Sequence, residues 1–472
     1  MACKYALLLD QFLTQIDANK SKISLEERSR AKKVKTSLAN EVIWKKLELI
    51  MILRRAKTIP IEPPLYWHAL RYLVLIMMVS ATSACVVADE RIYNLQYTIE
   101  LQPEADRAQV TIEIDNAELL RTLLFNINPK VHSHIQANGK LEMNGGQAVW
   151  HPPGQKARLS LFAKVSNERD DGEFDAVMTK DWAIFRGDDL IPAATVKAKR
   201  GAFARAMLEI KLPPGWTSAE TGWQKVRDFH FLIDNPERHF DRPTGWVIAG
   251  KLGTRRDQVG STEIVVSAPG GADVPRMEIM TFLNFVWPDI ELAFGTVPPK
   301  LLIVSAGKPM WRGGLSAPNS LFLHSDRPLV SENGTSSLIH ELTHTITRIH
   351  GDRNDDWIAE GLAEFYSFEL LYRAGGMTPN RREKVVRWLA NWGADVEALR
   401  KRSSTGRTTA RAAVLFDDLD KEIRKRSNNE FSIDDITREL IALRRVSLND
   451  LRRVCKTLMG IEPISLNTAL LE

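Results

Sequence analysis

Two histidines with a glutamate between them are the residues of this chain whose spacing best suits chemistry. The stretch reads His340-Glu341-Leu342-Thr343-His344. On a helix, residues four apart lie on one face, so both imidazoles can bind a single ion. Glu341 would project beside that ion and take a proton from a water bound to it. The spacing predicts a metal-dependent hydrolytic site; the alternative is two ordinary histidines on a helix without a metal.

A third metal ligand is expected on a second helix. A catalytic zinc ion usually takes three protein ligands and keeps a fourth position for water. Glu360, within the stretch 357–366, is the candidate for that ligand. Glu364 follows one helical turn later and can accept a hydrogen bond from a ligand histidine, which would fix the orientation of its ring. We therefore expect one zinc ion; for Glu364, a plain surface carboxylate is the alternative.

Capping residues indicate where the two helices begin. Thr335 or Ser336 can cap the first helix, and Gly351 lies just beyond its expected end. Asp355 or Asp356 can cap the second helix. An antiparallel pair of such helices would direct the carboxylate of the second helix at the two imidazoles of the first.

The rest of the chain indicates a multidomain α+β protein. Short alternating runs between about residues 91 and 266, broken by Gly, Pro, Asn and Asp, predict a largely antiparallel β domain, either a sandwich or a saddle-shaped sheet. Helix, strand and helix patterns follow up to Gly375, and nearly everything after Gly376 is helical. The expected division is a basic helical extension (1–68), a signal or anchor segment (69–88), a β-rich domain (89–270), a catalytic domain (271–376) and a helical C-terminal domain (377–472).

The uncharged run from Tyr72 to Ala88 predicts export. It is short for a membrane span and grades from Leu, Ile and Met into Ser, Ala and Thr, as a signal peptide does. Its end, Thr82-Ser83-Ala84-Cys85, resembles a bacterial lipobox, in which Cys85 would be lipidated, although Thr82 stands where Leu is usual. We expect an exported, periplasm-facing lipoprotein or membrane-anchored protein. A buried strand or helix is the alternative, and translation from Met51 would remove most of the extension.

Composition restricts the function classes. The 472 residues are 44% hydrophobic and 26% charged, as in ordinary globular proteins. The formal charge of +5 is spread along the chain, so no basic stripe for nucleic acid is expected. Three cysteines are too few for a disulfide framework.

The two motifs together resemble the gluzincin metallopeptidases. The stretch 357–367 looks most like the W-x-x-E-G segment of the glycyl aminopeptidase family and its aminopeptidase N relatives, and the similarity extends through 370–375 and 413–420. The resemblance covers about residues 240 to 460. It implies a β N-terminal domain, a thermolysin-like catalytic core, a helical C-terminal domain, one zinc ion, and peptides or proteins as substrates.

A glycine-rich stretch, Gly313-Gly314-Leu315-Ser316, resembles the strand that binds the substrate backbone in these families. Many relatives have a glutamate at the last of these positions, where it holds the free α-amine of the substrate. Ser316 stands there in this chain. The usual reason for preferring a free amino terminus is therefore missing.

The residue that stabilises the oxyanion also departs from the family pattern. Relatives use a tyrosine where this chain has Thr409, which is too short to do the same from the same place. Arg411 or another residue would have to take its place, or turnover would be slow. Losing one such donor typically costs about 10²- to 10³-fold in rate. The main hypothesis is a zinc peptidase with Glu341 as general base and acid; the alternatives are a zinc-retaining domain that binds peptide or protein partners without efficient turnover, and a membrane-associated structural protein without a metal.

Overall fold

The computed structural model describes residues 91–234, 240–460 and 462–472. The predicted extension, the apolar run Tyr72–Ala88 and the lipidation site Cys85 lie outside these residues. Residues 90–472 form a single unit by their internal contacts. Its architecture is mixed α+β with several sheets, as the sequence predicted. Among the helices of the described residues, none is long and apolar enough to cross a bilayer.

The N-terminal part consists of three sheets. Its strands are β1 (Ile92–Gln102), β2 (Arg107–Asp115), β3 (Leu120–Asn126), β4 (His132–Ala137), β5 (Lys140–Asn144), β6 (Gln147–His151), β7 (Lys156–Lys164), β8 (Asn167–Glu168), β9 (Phe174–Met178), β10 (Trp182–Arg186), β11 (Ala194–Ala198), β12 (Phe203–Lys211), β13 (Ser218–Thr221), β14 (Gln224–Arg227), β15 (His230–Ile233) and β16 (Trp246–Gly250). The strand orders are β14-β15-β12-β1-β2-β7-β4, β13-β16-β10-β9-β8 and β11-β3-β6-β5. Neighbouring strands are antiparallel, except that β1 pairs with β12 in parallel.

Alternation along the strands builds the core of this part. On β1, Tyr93, Leu95, Tyr97 and Ile99 are fully or almost fully buried, while residues between them are partly exposed. Successive side chains of a strand point to opposite faces, so this period of two buries one face of the sheet. The alternation that predicted a β domain between about residues 91 and 266 therefore has its expected physical result.

A five-stranded mixed sheet lies under the candidate site. The remaining strands are β17 (Leu252–Val259), β18 (Thr262–Pro269), β19 (Lys300–Ala306), β20 (Gly314–Ala317), β21 (Ser320–His324), β22 (His350–Gly351) and β23 (Arg445–Val446). The order of the five-stranded sheet is β17-β18-β19-β21-β20, in which β18, β19 and β21 are parallel and both edge strands are antiparallel to their neighbours. The strands β22 and β23 form a separate two-stranded sheet. A boundary after residue 270 would separate β17 and β18 from the sheet that they complete, so we propose a boundary near residue 251.

Eight α-helices lie within the described residues. They are α1 (Gly187–Leu190), α2 (Arg276–Phe294), α3 (Ser337–Thr347), α4 (Asp356–Arg373), α5 (Pro379–Trp392), α6 (Arg407–Arg426), α7 (Ile433–Leu443) and α8 (Leu448–Met459). Short 3-10 helices span Pro103–Ala105, Ala117–Leu119, Ile464–Leu466 and Ala469–Leu471. The side chains of Thr378, Ser432 and Ser447 cap α5, α7 and α8 by accepting hydrogen bonds from backbone N–H groups of the first turn.

Buried ion pairs connect α4 to the helices that follow it. Arg373 contacts Glu369 at 2.9 Å and Asp434 on α7 at 2.6 Å. Arg382 on α5 contacts Glu369 and Asp417 on α6, each at 2.6 Å. Because these groups are mostly withdrawn from water, each charge depends on its partner. The network therefore fixes α4 relative to three other helices.

Candidate metal centre

Helix α3 presents the two histidines and Glu341 on the side that faces a cavity. Ser336 caps the helix by accepting a hydrogen bond from the Ile339 N–H at 3.3 Å. Leu338, Ile339 and Leu342 are buried on the opposite side. A helix that buries one apolar face turns its other positions toward the cavity. The helix ends at Arg348, whose left-handed backbone (φ 50°) stops it before Gly351.

Helix α4 places two glutamates one turn apart. Asp355 stands at its N-terminus, but the Asp355 carboxylate does not cap this helix. It accepts hydrogen bonds from the Leu448 N–H at 2.9 Å and from Arg400 at 3.0 Å. The carboxylate therefore connects the start of α4 to α8, and Glu360 and Glu364 follow on the helix side that meets α3.

Three predicted ligands meet at one point. The Nε2 atoms of His340 and His344 are 3.2 Å apart, and the Glu360 carboxylate oxygens lie 3.5 and 3.4 Å from them. Atoms bound about 2.1 Å from one zinc ion in tetrahedral geometry are roughly 3.4 Å from each other. The three side chains are thus spaced as zinc ligands are. Within the described part of the chain, they form the one group of three or more His, Cys, Asp or Glu side chains with metal-binding spacing.

Glu364 contacts the other nitrogen of His340. Its Oε2 accepts a hydrogen bond from Nδ1 of that ring at 3.0 Å. In the neutral ring this contact holds the proton on Nδ1, so Nε2, on the side of Glu360, is the nitrogen that can bind a metal. Glu364 is therefore partly buried against His340, whereas the alternative that the sequence left open was a surface carboxylate.

The charges of the cluster favour a cation at its centre. Burial lowers the pKa of His340, but hydrogen bonds to Glu360 and Glu364 outweigh burial and raise that pKa well above 6.5. Burial raises the pKa of Glu360, yet hydrogen bonds from both histidines bring it far below its usual value. Two carboxylates thus stabilise positive charge between the rings, and a divalent cation would supply that charge.

The glycine-rich strand lies directly beside Glu341. A Cβ atom on Gly314 would lie 2.8 Å from Cγ of Glu341. A Cβ on Gly313 would overlap the ring of Trp311, at 1.9 Å. Both glycines therefore allow close approaches that no other residue type permits. Of the four predicted substrate-binding residues, Gly314, Leu315 and Ser316 line the cavity at the metal site, whereas Gly313 lies under Trp311.

Two cavities meet at the cluster. One of about 700 Å³ contains Leu315, Ser316 and Ala317 in its wall, together with Arg186 and Asp188. The other, of about 430 Å³, extends past Glu364 to two tryptophans of α5. Both cavities share the residues Trp311, Gly314, His340, Glu341, Glu360, Ser404 and Thr405. The candidate site is therefore open on two sides.

Arg411 does not reach either cavity. It lies on α6, where its Cβ would be 2.9 Å from a Cβ placed on Gly393. Thr409, two residues earlier, lines the smaller cavity. Residues two apart on a helix point in nearly opposite directions, so Thr409 and Arg411 cannot both face the cavity. The prediction that Arg411 stabilises an oxyanion is thus inconsistent with its position.

Several lining residues were not found from the sequence. Arg186 is the last residue of β10 and Asp188 lies in α1, far from the motif in sequence, and neither carries a local signal that points to a site. Trp388 and Trp392 had a usable signal, because two tryptophans four residues apart in a polar helix form one exposed aromatic face.

Solved structures share this fold, although no protein-family model and no curated protein matches the sequence. An aminopeptidase N family protein from Idiomarina loihiensis aligns with a TM-score of 0.57 and 14% identity, over 74% of this chain and 70% of that one. A variant of a two-domain M1 zinc metallopeptidase bound to L-tryptophan aligns with a TM-score of 0.53 and 18% identity, over 81% of this chain and 94% of that one. The M1 zinc metallopeptidase from Deinococcus radiodurans aligns with a TM-score of 0.52 and 16% identity, over the same shares of the two chains. The relationship to gluzincin aminopeptidases that the sequence indicated is confirmed as a shared fold.

Proposed function

We propose that this chain is a zinc-dependent peptidase that hydrolyses peptide bonds in the cell envelope. The observation that carries the proposal is the spacing of the His340, His344 and Glu360 ligand atoms, 3.2 to 3.5 Å from one another. Zinc metallopeptidases among the solved structures with the same fold support it. Peptides or proteins are the proposed substrates, and one zinc ion is the proposed cofactor.

The proposed mechanism assigns the proton transfers to Glu341. His340, His344 and Glu360 would hold the zinc ion, which would supply a Lewis acid for the scissile carbonyl and lower the pKa of a bound water to about 7. Glu341 takes the proton of the attacking water and passes it to the leaving amine. Glu364 holds the ring of His340 in its binding orientation through the 3.0 Å hydrogen bond. The free edge of β20 hydrogen-bonds the substrate backbone.

Hydroxyl groups are the proposed oxyanion donors in place of the missing tyrosine. Ser404 and Thr405 line both cavities in the loop before α6. The Oγ atom of Ser404 is buried, whereas Thr405 is exposed to the cavity side. We therefore assign the contact to Thr405.

Cleavage within a peptide chain fits the site better than removal of an N-terminal residue. Ser316 provides no carboxylate for a free α-amine. The charged side chain contributed by β10 is Arg186, whose guanidinium would repel an ammonium group, although Asp188 at 3.4 Å offsets part of its charge. Two connected cavities also leave room for substrate on both sides of the scissile bond.

Export and membrane attachment complete the proposal. The support is the apolar run ending at Cys85 in a lipobox-like sequence. Mass spectrometry of the native protein tests this part. A lipid-modified N-terminal peptide at Cys85 is expected, and abundant peptides from residues 1–50 would exclude a start at Met51.

A zinc-retaining domain that binds partners without efficient turnover is the second candidate. It is favoured by the lack of the family tyrosine at Thr409 and by the position of Arg411 away from the cavities. A purified full chain that holds zinc yet cleaves nothing in a broad peptide library would favour this function over the first.

The deciding experiment is a cleavage-site profile of the full chain and of a Glu341→Gln variant, each with and without chelator. The proposed function requires chelator-sensitive cleavage by the native chain and none by the variant, with equal zinc content in both. Cleavage retained by a zinc-loaded Glu341→Gln variant would refute the role of Glu341.

A further inference from the structure

Two exposed tryptophans stand on one face of α5. The ring centroids of Trp388 and Trp392 are 5.1 Å apart, and their planes are tilted by 38°. The residues are 41% and 40% exposed, although Val385 and Leu389, which belong to the same stripe of the helix, are fully buried. Large aromatic surface left in contact with water is unfavourable, and such patches commonly mark binding sites. The two tryptophans therefore border the packed side of α5 and leave a large part of their ring surface uncovered.

This aromatic pair belongs to the smaller cavity at the metal centre. His340, Glu341 and Glu360 line the same cavity. Trp311 supplies a third ring, which is held by the Arg169 guanidinium 4.5 Å from its centroid and by close contact with Gly313. The rings are thus continuous with the site, rather than a separate surface patch.

An antiparallel alignment of the peptide on the edge of β20 is part of this inference and determines which part of a peptide would enter this cavity. β20 pairs with β21 on one side and is an edge strand on the other. A peptide that adds antiparallel to this edge runs from Ala317 toward Gly314. Leu315, Ser316 and Ala317 line the larger cavity, while Gly314 borders both. Residues before the scissile bond therefore face the larger cavity, and residues after it face the tryptophans.

We propose that Trp388 and Trp392, with Trp311, form the subsite for an apolar, preferentially aromatic side chain on the C-terminal side of the scissile bond. This inference rests on the proposed peptidase function and specifies its substrate class. Ring faces at this separation can stack on an aromatic side chain, and a bound side chain would remove both tryptophan faces from water. A substrate alanine at the same place would neither stack on the rings nor cover their faces.

The experiment compares peptides that differ only in the residue after the scissile bond, Phe, Leu or Ala. The full chain is expected to prefer Phe over Ala. In Trp388→Ala and Trp392→Ala variants, kcat/KM for the Phe peptide should fall about 10- to 100-fold, while kcat/KM for the Ala peptide changes little. Trp392→Phe should keep most of the preference. Phe285→Ala, a 46% exposed aromatic on α2, is the matched control and should leave the profile unchanged.

Different results would refute the subsite and the function separately. Chelator-sensitive cleavage without a preference at this position, or with a preference that both alanine variants retain, overturns the subsite and leaves the peptidase function intact. A preference expressed before the scissile bond instead overturns the assigned direction. If the native chain cleaves no peptide in a chelator-sensitive way, the peptidase function fails and the subsite with it. Zinc content and circular dichroism of each variant show whether a loss comes from misfolding.

Discussion

Gly314 and Glu341 approach so closely that a Cβ atom on Gly314 would lie 2.8 Å from Cγ of Glu341. The edge strand and the proposed general base thus determine each other's positions. Because β20 is also the strand that would hold the substrate, this contact relates the place of the substrate backbone directly to the carboxylate that moves the proton.

Gly314→Ala should separate zinc binding from turnover. The added methyl group displaces the Glu341 side chain, and a shift of about 1 Å in a catalytic group can cost about 10²-fold in rate. We expect kcat to fall by about that factor, with unchanged zinc content. Gly307→Ala is the control, since its nearest contact is the Oγ atom of Ser325 at 3.0 Å, away from the site. Unchanged turnover in Gly314→Ala would show that the close approach of Gly314 does not position the Glu341 carboxylate.

Glu364→Ala should weaken zinc binding. The ring of His340 loses its hydrogen-bond acceptor, and such losses typically cost about 10- to 100-fold in metal affinity. Glu364→Gln should lose less, because its amide oxygen can still accept the same bond. Competition with a chromophoric chelator measures the affinity, and Glu383→Ala on an exposed position of α5 is the control. Equal affinity for all four proteins would show that Glu364 has no influence on the metal.

Blocking the amino terminus of a substrate should have little effect. Ser316 offers no carboxylate to an α-amine, and Arg186 lines the cavity where that amine would lie. We therefore expect comparable kcat/KM values for a peptide and its N-acetylated form. The measurement is a paired kinetic assay on one sequence. A requirement for the free amine would mean that another carboxylate of this cavity, Asp188 or Asp356, anchors it.

Arg382→Met should destabilise the helical part of the protein. The substitution removes from Glu369 and Asp417 a partner that each contacts at 2.6 Å, while Glu369 keeps Arg373 and Asp417 keeps Lys421. Leaving a buried charge without any partner typically costs about 3–5 kcal/mol in the free energy of unfolding, so the loss here should be measurable but smaller than that. Urea denaturation measures the loss, with Arg387→Met on the exposed side of α5 as the control. A loss no larger than that of the control would contradict a stabilising role for the network.

The features that the sequence predicted are those with local causes. Ser336 caps α3, and residues four apart share a face of that helix, so the arrangement of His340 and His344 depends on short-range physics alone. Glu360 was reached by the same logic, with the added expectation that two consecutive helices pack together.

The features that the sequence did not predict depend on long-range packing. Arg186 reaches the cavity from a strand more than a hundred residues before the motif, and nothing near it in sequence indicates that approach. Arg411 was assigned from its type and its place in a family pattern, while its true direction is set by how α6 packs against Gly393. Likewise, the pairing of β18 with β19 across α2 moves the proposed boundary toward residue 251.

Zinc content of the purified full chain and of its Glu360→Ala variant, measured by elemental analysis after dialysis, tests the central claim most directly. Three ligand atoms 3.2 to 3.5 Å apart predict one equivalent of zinc in the native chain and its loss from the variant. A native chain without zinc, or a variant that retains as much zinc as the native chain, would contradict the proposed site.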